Sequence, residues 1–175
     1  MRLGMLLMGL ALSFLLGAMG GGVAMAAEAD ASPLHLKRHN LLVADLDRSL
    51  AIYRDILGFR VHAITTSTAD SYSYPVFNIP AEATLRFASL DSDTEVRHFA
   101  LTEVTGVRLP SPHDAIRMST AVIQVRDFDN VLAKLRATGL TIVEPTVAIG
   151  SDGRAFKEMA FIDPDGHLVV LYQFR

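Results

Sequence analysis

The chain of 175 residues contains no cysteine, and that one absence removes several chemistries. Disulfides, thiolate nucleophiles, haem attachment through Cys, and thiolate-bound zinc or iron–sulfur centres are excluded. Basic clusters are also missing. Lys and Arg number 16 against 19 Asp and Glu, a net charge of −3, with no Lys/Arg run. Nucleic-acid binding therefore lacks its electrostatic footprint, and no nucleic-acid partner is expected. Charge is absent in two further places. Arg2 is the only charged residue before Glu28, and none occurs from Leu168 to Phe174.

The first of these uncharged stretches has a simple reading. A basic residue, an apolar core from Leu3 to about Ala18, and Ala24-x-Ala26 form the pattern of a cleaved secretory signal. The alternative is a retained anchor, but the apolar run is short against the roughly 20 residues that span a bilayer. Residues 1–26 read as a signal peptide and 27–35 as a linker. The mature chain would begin near Ala27, periplasmic or secreted, with no membrane partner after cleavage. Without a cysteine after the apolar run, a lipid-modified cysteine is impossible.

What is present is a repeat. In "HNLLVADLDRSLAIYRDILGFRV", residues 39–43 read as a strand and Asp45 stands where a helix N-cap belongs. Leu46, Leu50, Tyr53 and Leu57 follow at helical spacing, and Gly58 stops the helix before a strand from Phe59 to Ile64. "AVIQVRDFDNVLAKLRATGLTIV" repeats the unit. Asp127 matches Asp45, Phe128 matches Leu46, and Gly139 matches Gly58. Two more strands follow each unit, the last pair joined by Asp163-Pro164-Asp165-Gly166, a tight-turn sequence. Half the residues are apolar, enough for one compact domain.

These two end motifs, "HNLLVADLDRSLAIYRDILGFRV" and "MAFIDPDGHLVVLYQ", resemble those of the glyoxalase / bleomycin resistance protein / extradiol dioxygenase group, the vicinal oxygen chelate superfamily. The resemblance spans about residues 36–174. It implies an α+β fold of two βαβββ modules, 36–106 and 118–174, whose curved sheets enclose a cleft. In metal-dependent members a divalent ion sits there, held by the first and last strands of each module. Carried over position by position, the ligand places fall on Arg38, seven residues before Asp45, and on Thr120, seven before Asp127. The others fall on Glu103 in "LTEVT" and on Val170, where the family pattern has an acid. Glu103 is then the one ligand-type side chain retained. The uncharged last strand lacks the acid that would mark a metal site.

A metal beside Arg38 would also meet a fixed positive charge. At ~4 Å and an effective dielectric of ~20 the repulsion is about 4 kcal/mol per unit charge, doubled for a divalent ion. No metal in the usual place and no cofactor are expected. His35, His39, His98 and His167 follow no recognised ligand spacing, and His39, next to Arg38 on a strand, should point away from the cleft.

Arg38 and Glu103 are expected to face each other, either as a salt bridge replacing the metal or with Arg38 anchoring a carboxylate or phosphate. Asn40, Gln124 and Tyr172 share the inward parity and, with Thr120, complete the ligand-binding candidates. Residues 66–83 form the longest irregular stretch. Tyr72, Tyr74 and Phe77 there are candidates for a lid, the alternative being a surface connection. His113–Asp114 reads as a solvated turn. Two functions follow: a metal-free protein that binds a small anionic or polar molecule, or a glyoxalase-like lyase, isomerase or dioxygenase using a shifted metal. A third possibility is an interaction module. A homodimer is expected, and no residue is assigned as catalytic.

Overall fold

Two aspartates punctuate the chain in the same way. The Asp45 carboxylate accepts a hydrogen bond from the Arg48 amide at 2.9 Å, and Asp127 accepts one from the Asn130 amide at 3.2 Å. Each satisfies a first-turn donor that has no intrahelical partner. Gly58 (φ +91°) and Gly139 (φ +75°) close the same two segments in a conformation that disfavours side chains.

The computed structural model describes residues 36–110 and 118–175. The expected signal peptide, the linker with His35, and His113–Asp114 lie outside the described residues. The elements are β1 (His39–Val43), α1 (Leu46–Tyr53), β2 (Arg60–Thr66), α2 (Ser73–Val76), β3 (Thr84–Asp91) and β4 (Phe99–Thr105). Then come β5 (Thr120–Gln124), α3 (Phe128–Ala137), β6 (Thr141–Ile149), β7 (Ala155–Ile162) and β8 (Leu168–Phe174). Leu57, expected inside the first helix, lies in the turns that follow Tyr53.

Four strands form each sheet, in the orders β1-β4-β3-β2 and β5-β8-β7-β6. β1 runs parallel to β4 and β5 parallel to β8, while the other pairs are antiparallel. A parallel pair needs a crossover, and α1 and α3 begin those crossovers. The result is the expected α+β arrangement, with a βαβββ pattern in each half.

Strand alternation divides each sheet into two faces. Leu41, Val43, Leu90 and Leu101 join Leu46, Leu50 and Tyr53 of α1 in the core. Met159, Phe161, Val169 and Leu171 join Phe128, Val131 and Leu135 of α3 in the same cluster. One continuous apolar core therefore backs both sheets on their helix-bearing side.

The Asp163–Gly166 turn does more than reverse the chain. Asp163, 3% exposed, accepts the Tyr53 hydroxyl at 3.0 Å and the amides of Asp165 and His167 at 3.0 and 2.8 Å. Burial, and then the Asp163 charge, raises the Tyr53 phenol well above its ordinary pKa. Asp165 takes both oxygens to Arg48 at 2.8 and 2.9 Å and accepts the Ala44 amide at 3.0 Å. His167 Nε2 meets the Leu42 carbonyl at 2.7 Å. At the other end of β5, Arg126 pairs with Asp93 at 2.7 Å. The second half is thus clasped to β1 and α1 of the first.

Candidate functional site

Arg38, just before β1, and Asn40 and Leu42 on it alternate with the core residues, so they occupy the helix-free face. The register aligns Asn40 with Ala100 and Leu42 with Thr102, and Thr102 with Phe87. Side-chain contacts follow that alternation. Thr102 Oγ1 donates to Asn40 Oδ1 at 3.1 Å, and the Arg38 guanidinium lies 5.1 Å from the centre of the Phe87 ring. Arg38 Nε donates to the Arg97 carbonyl at 3.0 Å. No carboxylate among the described residues pairs with Arg38, so most of its planar donor fork is open.

The second sheet presents Thr120, Val122 and Gln124 from β5, with Val170 and Tyr172 beside Val122 and Gln124 on β8. Tyr172 donates to Gln124 Oε1 at 3.2 Å. The Thr120 hydroxyl is engaged by backbone, donating to the Leu168 carbonyl at 3.0 Å. Arg38, Asn40, Thr120, Gln124 and Tyr172 therefore all lie on helix-free faces. His39 lies on the opposite face, 5.6 Å from the Phe99 ring. Burial, followed by the charge of His167, lowers its pKa.

Glu103 is the correction. It aligns with Val43, so it shares the helix-bearing face with Phe99 and Leu101. Its Oε1 accepts the Leu46 amide at 2.8 Å and its Oε2 lies 3.5 Å from Arg86 Nε. It completes the N-terminus of α1, where a negative charge is favoured by the helix dipole. Gln173 does the same for α3, accepting the Phe128 amide at 3.4 Å. Glu103 and Arg38 cannot face each other, because they are on opposite sides of one sheet. Counting from Phe99 and Leu101, which must point into the core, would have placed Glu103 correctly.

That shift changes the metal question. Val122 pairs with Val170, and its counterpart Asn40 pairs with Ala100, so Ala100 takes the place assigned to Glu103. The four positions then offer a guanidinium, a methyl, a hydroxyl already bonded to backbone, and an isopropyl group. Such a donor set does not fit a divalent ion. Among the described residues, no three His, Asp or Glu side chains gather where they could hold one.

The lid candidates separate. Tyr74 and Ile79 pack on Leu85, Val104 and Leu42, covering one end of the first sheet's helix-free face, and the Tyr74 hydroxyl donates to the Ala83 carbonyl at 2.9 Å. Phe77 is half-buried and Tyr72 is 80% exposed. The sequence reading missed Phe87, Phe156, Glu158 and Phe174, which line the same faces. Their signal was the alternation in "ATLRFASL", "AFKEMAFID" and "HLVVLYQF".

Replacing Glu103 by Ala is expected to lower stability by about 1–3 kcal/mol, because the buried Leu46 amide loses its acceptor. Gln, which keeps an acceptor, should cost less. Chemical denaturation of the two variants checks this, and equal losses would contradict the capping role.

Comparison with known proteins agrees with this geometry. Residues 34–171 match the family model described as Glyoxalase/Bleomycin resistance protein/Dioxygenase superfamily. A glyoxalase family protein from Bacillus cereus is 15% identical, with a TM-score of 0.63 over 85% of this chain and 99% of that one. An antibiotic-binding protein from Streptomyces sp. CB03234 is 16% identical, with a TM-score of 0.54 over 82% and 98%. A fosfomycin resistance protein from Listeria monocytogenes, complexed with Mn(II) and sulfate, is 13% identical, with a TM-score of 0.53 over 81% and 93%. No match is found among proteins of curated function.

Proposed function

Because this chain belongs to the Glyoxalase/Bleomycin resistance protein/Dioxygenase superfamily, we propose that it binds a small anionic or polar organic molecule on its helix-free face, at Arg38 rather than at a metal. The observation that carries this reading is a guanidinium on that face that pairs with no carboxylate among the described residues. It is stacked on Phe87, fixed by one bond to the Arg97 carbonyl, and placed where metal-dependent relatives would hold a ligand. A planar fork of this kind suits carboxylate or phosphate. Asn40 beside it, held by the buried Thr102 hydroxyl, supplies a neutral hydrogen-bonding group. One protein of similar fold is named as an antibiotic-binding protein, which supports binding as the role.

In this reading the protein is exported, with residues 1–26 removed, and acts as a homodimer outside the cytoplasm. Val147 and Ile149, 52% and 74% exposed on the edge strand β6, are the surface that favours a second copy. N-terminal sequencing of native material should begin near Ala27, and light scattering should give twice the chain mass. Met1 at the N-terminus, or a monomer, would count against the corresponding part.

The direct test is a thermal-shift panel of small carboxylates against their neutral amides, on protein prepared without added metal. Carboxylates should raise Tm and the amides should not. Stabilisation that appears only when a divalent ion is added would favour a shifted metal site and the enzymatic alternative.

A further inference from the structure

A cavity of about 340 Å³ opens on the helix-free face of the second sheet, between β5, β8 and the β6–β7 hairpin. That is the lower end of the range for small-molecule sites. Its walls are Phe156, Tyr172 and Phe174, its floor includes Val122, and Asp152 stands at its rim. The rings meet edge to face, Tyr172 against Phe174 at 87° and Phe156 against Phe174 at 75°.

One charge projects among them. Glu158 is half-buried and has no hydrogen bond or ion pair among the described residues. Its neighbours across the sheet are Thr146 and Tyr172, and the Tyr172 hydroxyl is already committed to Gln124. Structural duty does not explain it. The same place in the first sheet holds Phe87, under Arg38. The nearby cation, Arg154, is paired with Asp152 at 2.7 Å, and its guanidinium sits 3.8 Å from the Phe174 ring centre. Phe174 therefore already carries a cation on one face, and Glu158 pairs with no cation among the described residues.

We propose that Glu158 and the aromatic walls of this cavity form an ammonium-binding subsite, taking the amine end of an organic ligand. A carboxylate supplies the opposite charge, and ring faces attract a cation through their quadrupole. The proposal rests on the reading that the helix-free face is the ligand face. It extends that reading to a ligand class, organic amines.

The probes are phenethylammonium, the neutral 2-phenylethanol and the anionic phenylacetate. Each is titrated into the mature protein and its E158Q and R38M variants, with backbone amide shifts as the readout. Phenethylammonium should shift Val122, Glu158 and Tyr172 saturably, and E158Q should weaken it by about tenfold or more. Phenylethanol should bind weakly and equally to wild type and E158Q. Phenethylammonium binding that is absent, maps elsewhere or is unchanged in E158Q would overturn the subsite. Phenylacetate arms judge Arg38 separately. If phenylacetate fails to bind, or binds R38M as well as wild type, while the ammonium still depends on Glu158, the anion reading falls and this one stands.

Discussion

Alanine at Asp163 is expected to destabilise the folded chain by about 3–5 kcal/mol, because one buried and two half-buried donors lose their carboxylate acceptor. Those donors are the Tyr53 hydroxyl and the amides of Asp165 and His167. Desolvated donors without partners cost far more than the net worth of a hydrogen bond, and here the amides also set the turn that presents Asp165 to Arg48 and Ala44. Phenylalanine at Tyr53 removes one of the three donors, so D163A in that background should cost less than in the wild type. Urea unfolding of the single and double variants reads both quantities. A loss below about 1 kcal/mol for D163A would show that the turn does not clasp the two halves.

The second large effect concerns the ligand. Replacing Arg38 by Met keeps length and apolar contact with Phe87 while removing the charge. Affinity for a carboxylate should fall by about 1.5–3 kcal/mol, the worth of a charged hydrogen bond. Replacing Glu103 by Gln should leave that affinity level, because Glu103 lies on the other face of the sheet and bonds the Leu46 amide. Calorimetric titration with one carboxylate separates the two variants. Equal losses in both would mean that Arg38 and Glu103 act together, contrary to their positions on the sheet.

Much of the fold was legible because local signals repeat. Asp45 and Asp127 cap, Gly58 and Gly139 stop, and the apolar spacing between them selects a helix. These are short-range effects, and a sequence displays them directly. Parity within a strand was equally readable, and Asn40, Gln124 and Tyr172 share the helix-free side of their sheets. Glu103 went astray because an acid near a strand end was matched to a ligand place without counting from Phe99. Its true partner, the Leu46 amide, is 57 residues away in the chain. The clasp made by Asp163 and Asp165 was hidden for the same reason. Turn chemistry is local, but the contacts to Tyr53 and Arg48 are 110 and 117 residues distant. Glu158 was overlooked because a charge in a strand reads as a solvated face until the walls around it are known.

The central claim is that the helix-free face takes its ligand through the Arg38 guanidinium and not through a metal. Anomalous diffraction from crystals of the mature protein grown without chelator and soaked with 4-bromobenzoate tests it most directly. The account predicts a bromine peak on the helix-free face, with the carboxylate on Arg38. A transition-metal peak between Arg38, Ala100, Thr120 and Val170, or 4-bromobenzoate bound only away from Arg38, would contradict it.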